Sequence, residues 1–212
     1  VPSRAEVGLP ESGFVYCCFN NPYKVMPETF SVWMRILHAV PNSVLWLLKD
    51  EPETEANLKH QASMAGVDAS RLIFAERRSI PEHLARHMLA DLFLDTLPYN
   101  AHTTTSDALW TGLPVLTCMG QSFASRVAAS LLNACGLTEL ITESRADYEK
   151  LAIELACHPT KLATIRTKLI ANRDKHPLFD TVRYAKNLET AFETIIRLAN
   201  DKKPPESFTV SE

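Results

Sequence analysis

The stretch FVYCCFNNPYKVMPETFSVWMRILHAVPNSVLWLL, Phe14 to Leu48, decides the fold. Phe14 to Phe19 is a short, continuous apolar run of strand length, and Val44 to Leu48 is a second. Between them Phe30, Trp33, Met34 and Leu37 recur at i, i+3, i+4 and i+7, the apolar stripe of an amphipathic helix. Pro27 and Glu28 suit its first turn, the one by its fixed φ and missing N–H, the other by its charge against the helix dipole. Apolar strands that do not alternate with polar residues, separated by a helix, mark a parallel sheet covered on both faces.

The same alternation continues outward. Strand-like runs lie at Leu72 to Ala75, Leu92 to Asp95, Val115 to Cys118 and Leu140 to Thr142. Helical patterns fall at Glu53 to Ala65, Pro81 to Leu89, Thr104 to Thr111 and Phe123 to Cys135. Gly112 and Gly136 stand where helices end in a left-handed residue, and Pro114 follows the first of them. From Ser144 the pattern is helical only: Tyr148, Leu151 and Leu155, then Leu162, Ile165 and Leu169, then Tyr184, Leu188, Phe192 and Ile195. The reading is therefore α/β, a doubly wound, Rossmann-like parallel sheet with closing C-terminal helices. It forms one domain over residues 1–200, followed by a tail at 201–212 that is too polar to bury.

Composition narrows the function. The chain has 212 residues, 46% of them hydrophobic and 22% charged, enough for one sizeable core. A net charge of -3 gives no general attraction to nucleic acid or to an anionic membrane. No apolar run reaches the roughly 20 residues of a membrane-spanning helix, and Val1 to Pro10 lacks the charged and apolar regions of a signal peptide. The five cysteines have no CxxC spacing and mostly sit in apolar runs, so reduced, buried thiols in a cytoplasmic protein are expected. Neither GxGxxG nor GxxxxGK[ST] occurs, which argues against a dinucleotide-dependent oxidoreductase and against a P-loop NTPase.

Open parallel sheets bind ligands beyond the carboxyl ends of their strands. Three post-strand segments carry the polar chemistry. After the first strand come Asn20, Asn21, Pro22, Tyr23 and Lys24, an ammonium beside two amides. After the third come Arg77, Arg78, His83 and Arg86, the last two spaced to share a helix face. After the fourth, Asp95 leads to His102, Thr103, Thr104, Thr105, Ser106 and Asp107 at a helix start, where free N–H groups and the dipole suit a pyrophosphate. Ordinary capping would account for the hydroxyls alone. It does not call for His102.

Taken together, Phe19 to Lys24, Val40 to Leu48, Glu82 to Arg86, Leu94 to Thr96 with His102 to Thr104, and Ala124 to Ser130 resemble the protein O-GlcNAc transferases. The likeness runs from the first strand to Pro177 through Asp180, and the Ala-His-Thr-Thr wording and the Pro-Pro-Glu-Ser-Phe tail look bacterial in type. It implies the carboxyl-terminal, donor-binding lobe of a two-lobed GT-B glycosyltransferase, an inverting enzyme that moves GlcNAc from UDP-GlcNAc to Ser and Thr hydroxyls of proteins.

By position, the resemblance makes Lys24 the essential lysine at the donor diphosphate, with Asn21 near the same phosphate where animal members have glutamine. It sets His83 near the uridine, Arg86 near the base, His102, Thr103 and Thr104 around the phosphates, and Asp107 on the ribose hydroxyls. Ile80 stands where animal members carry a nucleotide-directed lysine, and Arg77 and Arg78 are candidate substitutes for it.

No metal or other cofactor is implied, only the UDP-sugar as substrate. The implied partners are an amino-terminal catalytic lobe and a TPR region of a longer protein, and a protein acceptor. The closing helices are expected to face the other lobe, and their apolar side offers a route to a homodimer. A different nucleotide sugar, a UDP-sugar 2-epimerase or a non-catalytic interaction module are the competing readings.

Overall fold

The computed structural model describes residues 1–210. β1 (Phe14–Cys18) passes through α1 (Pro27–Ala39) to β2 (Ser43–Leu48), and α2 (Pro52–Met64) leads on to β3 (Leu72–Ala75). α3 (Ile80–His87) precedes β4 (Leu92–Leu94), α4 (Thr103–Trp110) precedes β5 (Val115–Cys118), and α5 (Val127–Ala134) precedes β6 (Ile141–Thr142). The closing helices are α6 (Arg145–Cys157), α7 (Pro159–Arg173) and α8 (Thr181–Asn200). No helix among the described residues is long and apolar enough to cross a membrane.

All neighbouring strands pair in parallel, in the order β3-β2-β1-β4-β5-β6. The doubly wound expectation holds. β1 is central, with Tyr16 in register with Leu45 on one side and Leu92 on the other. Val15, Tyr16 and Cys17 have no exposed surface although successive side chains point to opposite faces, so both faces of β1 are covered. The chain leaves β1 toward β2 and leaves β4 toward β5, in opposite directions, which opens a crevice between these two strands at their carboxyl ends.

α1 and α6 pack on one face, and α3, α5 and α7 each pack against α4 on the other or at its edge. The α1–α6 contact is specific. Tyr148 of α6 is fully buried; its hydroxyl donates to the Asp95 carbonyl at 3.0 Å and accepts from the Trp33 indole of α1 at 3.2 Å. Arg35 and Glu149 add a two-pronged ion pair at the rim of the same contact. From β1, the Tyr16 hydroxyl reaches the Ala152 carbonyl at 2.9 Å.

One local departure from expectation has a clear cause. The run from Phe123 to Cys135 is not one helix: Phe123–Ser125 is a single 3-10 turn, Arg126 breaks it at φ -122° and ψ -11°, and α5 follows. Ser122 and Ser125 cap one another reciprocally, which closes that turn by itself. The bend also brings the Ser125 hydroxyl to Gly120, where a Cβ would stand 2.5 Å from it. Gly112 and Gly136 end α4 and α5 with φ of 81° and 69°, as their spacing predicts. All five cysteines are free thiols, four of them buried.

Replacing Tyr148 by Phe leaves a buried carbonyl and a buried indole N–H without partners. Tyr148→Phe is expected to lower the unfolding free energy by about 1–3 kcal/mol, read by urea denaturation with the m-value unchanged.

Candidate functional site

A cavity of about 540 Å³ opens at the β1–β4 crevice. Three segments build it: the loop after β1, the loop and first turns after β3, and the loop into α4. Asn21, Lys24, His83, Arg86, His102, Thr103 and Thr104, seven residues given a site role from the sequence, all line it, together with Arg77, Arg78, Ile80 and Tyr99.

The wall nearest β4 is organised by a side chain that sequence reasoning passed over. Asp95 has no exposed surface. Its Oδ1 accepts the backbone N–H groups of Thr96 (2.8 Å) and Ala101 (2.6 Å), and its Oδ2 accepts the Thr117 hydroxyl at 2.6 Å. Burial nevertheless dominates over these donors and raises its pKa to about 7. Asn20, also buried, donates to Asp95 Oδ1 and, at 2.8 Å, to the Thr96 hydroxyl, while its own Oδ1 accepts from the Thr104 hydroxyl. The Asn100 amide donates to the Thr96 carbonyl at 2.9 Å, and Thr29 of α1 donates to that of Leu97. Every turn of the segment 95–104 is thus tied to a fixed partner. An Asp at a strand end with Thr after it and Asn-Asn after the neighbouring strand is the signal that could have exposed this network.

α4 starts without any side-chain cap; the Thr104 hydroxyl donates to Asn20 and that of Thr105 to the Ala101 carbonyl, while the exposed Thr103 hydroxyl caps nothing. His102 is the boundary residue, and its carbonyl accepts from Thr105 and Ser106. The N–H groups of Thr103 and Thr104 therefore lack an acceptor within the helix. The His102 ring lies between Tyr99 and Phe123, and its Nε2 is buried with no hydrogen-bond partner. This wall offers donors and a partial positive charge to an anion.

Lys24 closes the opposite side of the same end. Its ammonium donates to the Asn100 carbonyl at 3.1 Å and stands 3.9 Å from the centre of the Tyr99 ring. Partial burial lowers its pKa. The lysine is therefore moored to the β4–α4 loop instead of moving freely in solvent.

The α3 wall has a different character. Ser79 and Glu82 form a capping box that starts the helix. His83 is held to a pKa of about 4 by burial and then by Arg86, so it is neutral at physiological pH. Its Nδ1 faces the Arg86 guanidinium, which also donates to the Glu76 carbonyl at 2.5 Å and lies 4.6 Å from the Phe19 ring centre. Arg86 lines the cavity but is only 3% exposed; one terminal nitrogen faces His83, the other donates to the Glu76 carbonyl, and its Nε is buried without a hydrogen-bond partner. Asp107 stands one turn farther along α4 than Thr103 on the same side of the helix, half-buried and not among the residues that line the cavity, with burial raising its pKa.

Asp95→Asn replaces one of two acceptor oxygens by a donor that faces other donors. It is expected to cost about 2–4 kcal/mol of stability, measured by urea denaturation, and to speed amide hydrogen exchange at Thr96 and Ala101 more than at the centre of β1.

Comparison with known proteins agrees with this geometry. The family model for glycosyl transferase family 41 matches residues 1–188. The probable UDP-N-acetylglucosamine–peptide N-acetylglucosaminyltransferase SEC of Arabidopsis thaliana is 41% identical over 212 residues, covering 100% of this chain and 22% of the relative. The Caenorhabditis elegans UDP-N-acetylglucosamine–peptide N-acetylglucosaminyltransferase is 40% identical over 187 residues, 88% of this chain and 16% of that protein. The chain thus spans about a fifth of the length of such relatives. Among solved structures, an O-GlcNAc transferase mutant of Thermobaculum terrenum superposes with a TM-score of 0.85 at 32% identity, over 90% of this chain and 37% of that one. These identities do not single out bacterial members over plant and animal ones. Anabaena Alr3699/HepE, solved with UDP and glucose, shares the fold at a TM-score of 0.63 and 18% identity, over 90% of this chain and 51% of its own. The chain belongs to glycosyltransferase family 41 and corresponds to the carboxyl-terminal part of the O-GlcNAc transferase catalytic region.

Proposed function

We propose that this chain is the donor-binding lobe of an inverting glycosyltransferase that takes UDP-GlcNAc and delivers GlcNAc to Ser and Thr hydroxyls of proteins. The observation that carries the reading is the convergence of Lys24 and the uncapped start of α4 on one end of a single cavity, with the His83 wall on another side. The printed names of the relatives support the choice of donor and of a peptide acceptor.

In this reading the diphosphate lies against the N–H groups of Thr103 and Thr104, the Thr103 hydroxyl and the Lys24 ammonium. The nucleoside extends along α3 past His83, whose neutral ring accepts or donates a hydrogen bond without adding charge. The acceptor oxygen attacks the anomeric carbon from the side opposite UDP. As the new C–O bond forms, the bond from that carbon to the phosphate oxygen breaks with its electron pair, and negative charge grows on the diphosphate. Lys24 and the helix start stabilise that charge where it develops, which is the larger share of what such a site contributes. They are fixed in advance by Asn100, Tyr99 and the Asp95 network, so little reorganisation accompanies the step. The proton of the acceptor hydroxyl leaves to a base outside this lobe.

Transfer needs a second lobe to hold the acceptor, and α8 offers a face for it: Tyr184, Leu188, Phe192, Ile195 and Ile196 are all exposed on this helix. A homodimer through the same face is the alternative cover, distinguished by solution mass.

Calorimetric titration of UDP into this chain tests the proposal. Binding is expected, unchanged by EDTA because the cation and the helix start take the charge a metal would otherwise take, and weakened about 10- to 100-fold in Lys24→Ala. A preference for GDP would redirect the donor assignment, and absence of binding to any nucleoside diphosphate would leave a non-catalytic interaction module.

A further inference from the structure

We infer that Arg77 is a second cation for the donor diphosphate, reaching it from the segment after β3. The inference rests on the donor-lobe reading above and deepens it.

Arg77 follows β3 on the edge of the cavity, two residues after the strand ends, in a segment that is exposed throughout. Its guanidinium does not turn away to solvent. One terminal nitrogen lies 3.4 Å from Asn21 Oδ1 across the cavity mouth, and the same nitrogen is 4.0 Å from an Asp50 oxygen. Asn21 is the residue that opens the turn carrying Lys24, and its carbonyl accepts the Lys24 N–H at 3.0 Å. Arg77 is thereby brought to the Lys24 end of the cavity, away from the buried His83 and Arg86 contact.

Its partners leave capacity to spare. A guanidinium has five N–H donors in a planar fork that matches two oxygens of a phosphate. Here it makes one long bond to an amide and one ion pair at the limit of contact, with 64% of the Arg77 side chain exposed. Such an exposed pair holds the side chain in place at little cost to release. Of the other cations at this mouth, Arg86 is buried against Glu76 and His83, Lys24 is moored to Asn100, and Arg78 lines the cavity without a hydrogen bond or ion pair to the turn from Asn21 to Lys24. Ile80, on the first turn of α3, contributes an exposed apolar surface to the same rim and no charge. Arg77 is joined to the Lys24 turn through Asn21 and makes no short bond elsewhere.

The test compares UDP with uridine on the intact chain by calorimetry, for wild type, Arg77→Ala, Arg77→Lys and Asp50→Asn, with thermal unfolding as the control for folding. Arg77→Ala is expected to weaken UDP about tenfold while leaving uridine affinity within about twofold, because uridine lacks the phosphates. Arg77→Lys recovers part of the loss, since it keeps the charge but not the fork. Asp50→Asn tightens UDP by removing the competing carboxylate. UDP affinity in Arg77→Ala equal to wild type, or an equal loss for UDP and uridine, overturns the inference while the donor-lobe reading stands. Wild type that binds no UDP overturns both.

Discussion

One buried carboxylate constrains the site. Asp95 sits at the end of β4 with no solvent contact and gathers Thr96, Ala101, Thr117 and Asn20 around its two oxygens. A charge in that position is costly unless donors surround it, and removing any donor leaves the rest of the arrangement unbalanced. The backbone from 95 to 104 has therefore little freedom, and the start of α4 inherits its position from that restriction. Asn20 transmits the same restriction across the sheet to the loop after β1, so the two strands flanking the crevice present their loops as one unit. The Lys24 ammonium then needs only the Asn100 carbonyl, itself part of the restrained segment, to be placed.

The architecture was legible because it depends on patterns that burial enforces locally. Strand runs such as Val115–Cys118 and Leu72–Ala75 had the observed bounds in the sequence, since a strand covered on both faces must be apolar throughout. Pro27 in a first turn and Gly112 and Gly136 in left-handed positions marked the start of α1 and the ends of α4 and α5. What failed was where a side chain overrode periodicity. Ser122 and Ser125 cap each other and split a pattern that reads as one helix, an interaction between two small polar residues that hydrophobic spacing does not register.

The site was legible in its membership more than in its mechanics. Lys24, His83 and the His102–Thr104 turn were found because polar groups at strand ends are rarely needed for packing. Asp95 escaped because, in sequence, an acid closing an apolar run looks like the end of a strand and nothing more. The burial of Arg86 against aromatic rings and a carbonyl was not legible, because a charged residue in a helix is usually solvated. Asp107 entered through the resemblance alone, and it stands one turn behind the cavity wall.

The hydrogen bonds that join α6 to the front of the chain bear on how the molecule is made. Tyr148 and Trp33 are 115 positions apart, and Tyr16 and Ala152 are 136 apart. Contacts of such separation close late, because long loops must be ordered before they are rewarded. A nascent chain halted after residue 142 would contain every strand and every cavity-lining side chain, yet the Asp95 carbonyl and the Trp33 indole would still await their hydroxyl. The ribosome must therefore deliver α6 before the crevice acquires its final shape, and truncations upstream of Tyr148 belong with folding intermediates and not with minimal binding domains.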